Sequence, residues 1–84
     1  MRRVLLSSAA DRDADQLAPE IAQRVFAAMR GLRENPRPPG CQLLREREPR
    51  TWRLRVGDLG VLYEINDAAG VVTVLRILHR SRAY

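Results

Sequence analysis

The sequence predicts an α+β domain with the element order β-α-α-β-β-β. A helical hairpin covers one face of a small antiparallel sheet, made of a three-stranded C-terminal meander plus an N-terminal strand. Three observations carry this. In WRLRVGDLGVLYEI, Trp52, Leu54 and Val56 alternate before Gly57-Asp58, and Leu59, Val61, Tyr63 and Ile65 alternate after it, with the period of two that paired strands require. From Pro19 to Leu32 the apolar residues instead recur at helical spacing. From Val71 to Leu78 the chain is β-branched and apolar on both sides for most of its length, which suits a strand inside a sheet.

The elements follow in order. Arg3-Val4-Leu5-Leu6 is a short apolar run that reads as the first strand. Ser8 then fits an N-cap with Asp11 at the third helical position, and Ala10, Ala14 and Leu17 form the stripe of a short helix. Pro19 opens a second helix, because a first-turn residue needs no amide proton. Its stripe is Ile21, Val25, Ala28 and Leu32, widened by Phe26 and Met29. Arg30 and Arg33 lie in its last turn, and Asn35-Pro36 ends it. NPRPPG, residues 35–40, is a stiff connector, after which Cys41 to Leu44 are expected to dock on the helices. Arg45 to Arg50, REREPR, is a charged loop, and Asn66 to Gly70 is the second hairpin loop.

Eighty-four residues suffice for one domain, residues 1–84, with a single core. The lone Cys41 can make neither an internal disulfide nor a zinc cluster, which points to a reducing cytoplasm. No apolar run is long enough for a bilayer, and the start is too soon acidic for a signal peptide, so a soluble protein without membrane contact is expected. All fifteen basic residues are arginines, and the net charge is +5. Guanidinium binds and neutralises phosphate but cannot act as a general base. A basic balance in a small domain points first to nucleic acid or to an acidic protein partner.

Arg53 and Arg55 leave the strand on the face opposite Trp52 and Leu54, about 7 Å apart over two rises of ~3.3 Å. That spacing matches neighbouring phosphate oxygens or successive phosphates; taken alone, two arginines on a strand more often mark a solvated sheet face. Arg45, Arg47 and Arg50 adjoin this strand, and Arg76, Arg80 and Arg82 continue the positive charge into the tail HRSRAY.

A helix hairpin closed by N-P-x-x-x-G, then a leucine pair, WRLRVGD, VLYEI and a Val-rich strand ending in HRSRAY together resemble the RelE/ParE superfamily of toxins, from Leu5 to Tyr84. The resemblance implies a toxin of a type II toxin–antitoxin pair, bound by a cognate antitoxin in a hetero-oligomer. In the RelE-like branch it implies a ribosome-dependent mRNA endonuclease that needs no metal or cofactor. There a ribose 2′-hydroxyl attacks the adjacent phosphate and leaves a 2′,3′-cyclic phosphate. ParE-like members poison DNA gyrase instead, and that alternative stays open. By resemblance Arg53 and Arg55 match the basic strand pair, Arg80 the tail arginine and Tyr84 the tail tyrosine, while His79 fits relatives that carry His-Arg at this point; some others use a tail histidine as the general acid. Arg45, Arg47, Arg50, Arg76 and Arg82 are the accompanying RNA-binding candidates.

This chain departs from the family pattern at Gly60, where relatives carry an arginine after the hairpin turn. Either the activity is reduced, or an arginine elsewhere, with Arg76 the candidate, fills that gap. Strand cleavage of this type needs a base for the 2′-hydroxyl, positive charge around the phosphorane and an acid for the departing 5′-oxygen. The arginines supply charge alone, so proton transfer falls to His79, Tyr84 or a carboxylate among Glu46, Glu48 and Glu64.

Overall fold

Strand pairing organises the molecule, whose computed structural model describes residues 2–45, 48 and 50–82. The elements are β1 (Arg3–Leu6), α1 (Ser8–Asp15), α2 (Pro19–Glu34), β2 (Gln42–Leu44), β3 (Thr51–Val56), β4 (Leu59–Asn66), β5 (Val71–His79) and a 3-10 turn (Arg80–Arg82). The strands form one sheet in the order β1-β5-β4-β3-β2. The expected element order holds, with two refinements. The sheet is mixed, because β1 runs parallel to β5. Gln42 to Leu44 do not dock on the helices but form an extra edge strand antiparallel to β3.

Gly57 has φ +59°, which a glycine adopts without strain, and it turns β3 into β4 so that Arg55 faces Gly60 and Val56 faces Leu59. Between β4 and β5 the register slips: Leu62 pairs with Arg76 but Tyr63 with Val74, leaving Leu75 unopposed. This bulge switches the parity of β5. Before it Val72 and Val74 face the helices; after it Ile77 does, and with it His79, paired with Leu59. Both halves of this apolar strand therefore feed one core.

That core joins Ala10, Ala14, Val25, Met29 and Leu32 of the helices to Val61, Tyr63, Val72, Val74 and Ile77 of the sheet. Each large aliphatic side chain among them contributes about 1.5–3 kcal/mol by leaving water. Tyr63 is fully buried, and its hydroxyl donates to the Pro36 carbonyl at 2.8 Å, pinning the connector behind α2. Arg37 secures the same connector from outside, paired with Asp67 at 2.9 Å and lying over the Trp52 ring at 5.2 Å.

Two helix details differ from expectation. The N-cap of α1 is Ser7 rather than Ser8: the Ser7 hydroxyl accepts from the Ala10 amide at 3.1 Å and donates to the Leu75 carbonyl at 2.8 Å. The bulged strand thus selects which serine caps. In α2 the buried line is Val25, Met29 and Leu32, while Ile21 and Phe26 remain 40% and 36% exposed. The helix is rotated so that those two residues flank the core instead of entering it.

Candidate nucleic-acid interface

The face of the sheet away from the helices carries Arg53 and Arg55. Arg55 is exposed; Arg53 is partly buried, and its guanidinium donates to the Gln42 side chain on β2. The unforeseen edge strand therefore orients one of the two arginines. Nothing in the chain's periodicity signals Gln42, because three residues are too few to alternate. In register with Arg53 across the sheet lie Leu62 and Arg76, and with Arg55 lie Gly60 and Leu78. Leu62 and Gly60 are buried, so the middle of this face is closed and apolar beneath the cations.

Charge gathers at the tip of the β3–β4 hairpin. Arg80 lies just beyond β5, where its amide donates to the Asp58 carbonyl at 2.8 Å and its side chain is 3.8 Å from the Asp58 carboxylate. Arg24 of α2 reaches the same turn from the helix side. Its guanidinium would lie 3.3 Å from a Cβ placed on Gly57. The sequence offered no sign of Arg24, which sits on an ordinary exposed helical position. Two guanidinium groups thus flank one tight turn.

His79 is not on the Arg53/Arg55 face. The parity switch turns it towards the helices, where it lines a cavity of about 320 Å³ with Leu17, Ile21, Arg24, Val56 and Leu59. Its Nδ1 accepts from the Ser81 amide at 3.2 Å and lies 2.8 Å from the Ser81 hydroxyl.

Arg76 is engaged elsewhere. Its guanidinium donates twice to Asp13 of α1, at 2.8 and 3.1 Å, and the same carboxylate accepts from the Ile77 amide at 2.9 Å. The Arg76 hydrogen bond is the main cause that holds the Asp13 carboxyl below the ordinary carboxylate range, helped by the Ile77 amide against partial burial. The Arg76 guanidinium is correspondingly harder to deprotonate, so this pair stays ionised wherever the protein is folded at moderate pH. Arg76 is thus paired with Asp13, and the residue in register with Gly60 on β5 is Leu78. Arg45 and Arg50 lie with Leu43, Leu44 and Glu48 beside β2, and Arg82 is exposed in the final turn. Glu64, opposite Thr73, is on the same face as Arg53 but towards the far hairpin loop. Arg47, Glu46 and Tyr84 lie outside the described residues.

Chemically the arrangement can serve an anion. Arg53 and Arg55 on the strand and Arg80 at the tip present permanent cations, which stabilise a phosphate and, more strongly, the added negative charge of a phosphorane. Among the described residues no three His, Cys, Asp or Glu side chains come together as a metal site would require.

The comparisons with known proteins agree with this architecture. The toxin–antitoxin complex RelBE2 from Mycobacterium tuberculosis holds a chain 32% identical to this one, with a TM-score of 0.81, covering 94% of this chain and 98% of that one. The archaeal RelE–RelB complex from Pyrococcus horikoshii OT3 shares the fold with a TM-score of 0.84 at 23% identity, over 98% of both chains. The isolated E. coli RelE toxin shares it with a TM-score of 0.82 at 15% identity, over 99% of this chain and 88% of that one. The chain has no match among curated proteins. The family model for the ParE toxin of type II toxin–antitoxin systems matches residues 4–84, and the chain belongs to that toxin family, within the RelE/ParE superfamily.

Proposed function

We propose that this toxin is a ribosome-dependent mRNA endonuclease that is neutralised by a cognate antitoxin in the cytoplasm. The observation that carries the reading is that Arg53 and Arg55 share the helix-free face of β3, whose hairpin turn holds Arg80 beside Asp58. In this mechanism the ribose 2′-oxygen bonds to phosphorus and the bond from phosphorus to the 5′-oxygen breaks, leaving a 2′,3′-cyclic phosphate. The arginines bind the phosphate and hold the extra charge of the transition state. The proton lost by the 2′-hydroxyl ends on the departing 5′-oxygen, and Tyr84 is assigned that transfer, since guanidinium cannot lose its proton at working pH and His79 is turned to the helix side. Incubating the protein with ribosomes carrying a defined mRNA codon in the A site, and mapping 3′ ends, tests this. A 2′,3′-cyclic phosphate end supports it, and intact mRNA sinks it.

The antitoxin's seat is proposed along β1 and α2. There Leu5 and Phe26 are exposed beside a cavity of about 470 Å³ rimmed by Arg2, Arg3, Arg30 and Arg33, and β1 ends the sheet with one edge that no strand among the described residues pairs. An acidic segment with apolar side chains, adding as a strand or helix, fits this chemistry. The M. tuberculosis relative, which was solved as a toxin–antitoxin complex, supports such a partner.

A second reading has its own support. Gly60 supplies no cation and Arg76 is held by Asp13, so the positive face is thinner than the family pattern. That favours a toxin that binds and poisons DNA gyrase without cleaving RNA. Following which process stops first after induction, translation or DNA replication, separates the two.

A further inference from the structure

We infer that the cleft behind the β3–β4 hairpin tip is a subsite for one unstacked nucleobase of the bound strand. This rests on the nucleic-acid reading above and adds a determinant of sequence preference to it. The cleft holds about 320 Å³, at the lower end of the roughly 300–1,000 Å³ usual for ligand pockets. Its apolar walls come from separate parts of the chain: Leu17 and Ile21 from the junction of the helices, Val56 and Leu59 from the strand ends flanking the turn. Ile21 belongs to the apolar face of α2 yet remains 40% exposed, so this wall faces open space instead of core.

The polar side chains lining the cleft are His79, Arg24 and Asp58, and Arg80 offsets the Asp58 carboxylate from 3.8 Å away, so the cleft keeps a surplus of donors. Because the Nδ1 of His79 accepts the Ser81 amide, the neutral ring carries its proton on Nε2, a tautomer fixed by that local contact. The Arg24 guanidinium lies against Gly57, and Arg80 lies on the Asp58 side of the same turn. A nucleotide satisfies all three: its ring between aliphatic walls, an acceptor on its edge towards His79, its phosphate towards Arg24 or Arg80. An apolar protein side chain would fill the walls but offer no acceptor to His79 or Arg24. The position also suits a continuous strand. Arg55 is two residues before Gly57, about 7 Å along the strand, so a backbone bound at Arg55 reaches the tip within one nucleotide and can turn its base behind it.

The test uses the four common nucleoside 5′-monophosphates, with ribose 5-phosphate as control, against the whole protein by methyl and imidazole NMR. Shifts at Leu17, Ile21, Val56 and Leu59 that differ among the bases and vanish with ribose 5-phosphate are expected. Shifts confined to the Arg53/Arg55 face, or equal with the control, overturn the inference. In the ribosome assay, Ile21→Ala and His79→Gln should each change the ratio between preferred and poor codons by about tenfold, the scale of one lost hydrogen bond or contact. An unchanged ratio in both variants overturns the inference even if cleavage itself is strong. Base-dependent shifts in the cleft of a protein that cuts no mRNA would support the subsite and reject the nuclease instead.

Discussion

Asp13 on α1 clasps Arg76 on β5 with two hydrogen bonds, at 2.8 and 3.1 Å, while also accepting the Ile77 amide. The clasp lies where β5 has run past its last β1 partner, since β1 pairs only as far as Val74. One carboxylate therefore replaces a missing strand, locks the first helix to the sheet and withdraws an arginine from the anion face.

Asp13→Ala should accordingly destabilise the fold by about 1–3 kcal/mol, because it leaves the part-buried Ile77 amide without an acceptor and Arg76 without its counter-ion. Urea unfolding at neutral pH measures this. The pH dependence has a defined sign. The folded carboxyl is held below its unfolded value near 3.8, so its contribution is complete above that value and lost as pH falls through the folded one. Asp13→Asn should flatten that acid limb; an unaltered limb would mean that other carboxylates set acid stability.

Arg80→Ala should abolish growth inhibition and leave the fold intact. The side chain is 60% exposed, so little buried surface is lost, whereas one missing donor to a transition-state oxyanion costs about 2–4 kcal/mol. Full toxicity at matched expression would remove Arg80 from the mechanism. Circular dichroism on the same sample checks the fold.

Tyr84→Phe should slow mRNA cleavage far more than His79→Gln does, by a factor of about 100 or more if the hydroxyl transfers a proton. Phenylalanine keeps the ring, so a purely stacking role predicts only a modest loss. Equal small effects would leave proton transfer to a carboxylate or to the ribosome.

Phe26→Asp should loosen the antitoxin complex, because it puts a carboxylate into an exposed apolar site where an acidic partner is expected. Co-purification with the gene product encoded alongside, followed by gel filtration at rising salt, reads this directly. Should the wild-type toxin elute alone at low salt, the partner itself is in question.

Tyr63→Phe should cost about 1 kcal/mol by removing the buried donor to Pro36. Burial pushes the Tyr63 hydroxyl pKa well above the ordinary phenol value of 10.0. Tyr63 thus adds stability below that value and loses it as pH rises beyond, a loss that the phenylalanine variant should not show.

Strand alternation in the sequence was enough to place Arg53 and Arg55 opposite the core, and helical spacing placed Val25, Met29 and Leu32 within it. What escaped depended on partners distant in the chain. Ser7 and Ser8 are equivalent caps locally, and only the Leu75 carbonyl separates them. Gln42 to Leu44 become a strand because β3 offers them an edge, not because of their own pattern. Arg76 reads as a free strand arginine until Asp13 arrives from α1. His79 lies at the end of an ordinary strand pattern, and Arg24 and Gly57 come to line a cleft with it only through folding.

The parallel pairing of β1 with β5 also imposes an order of events during synthesis. Arg3 pairs with Val71 and Leu6 with Val74, so the first strand made has no neighbour in the sheet until the last strand has left the ribosomal tunnel. Such sequence-distant pairing is slow, because the whole intervening loop must close before any contact is gained. A nascent chain can shape the helices and the β3–β4 hairpin, but it cannot close the core or set Arg80 against the turn. An antitoxin already present has the interval before folding finishes in which to meet the chain.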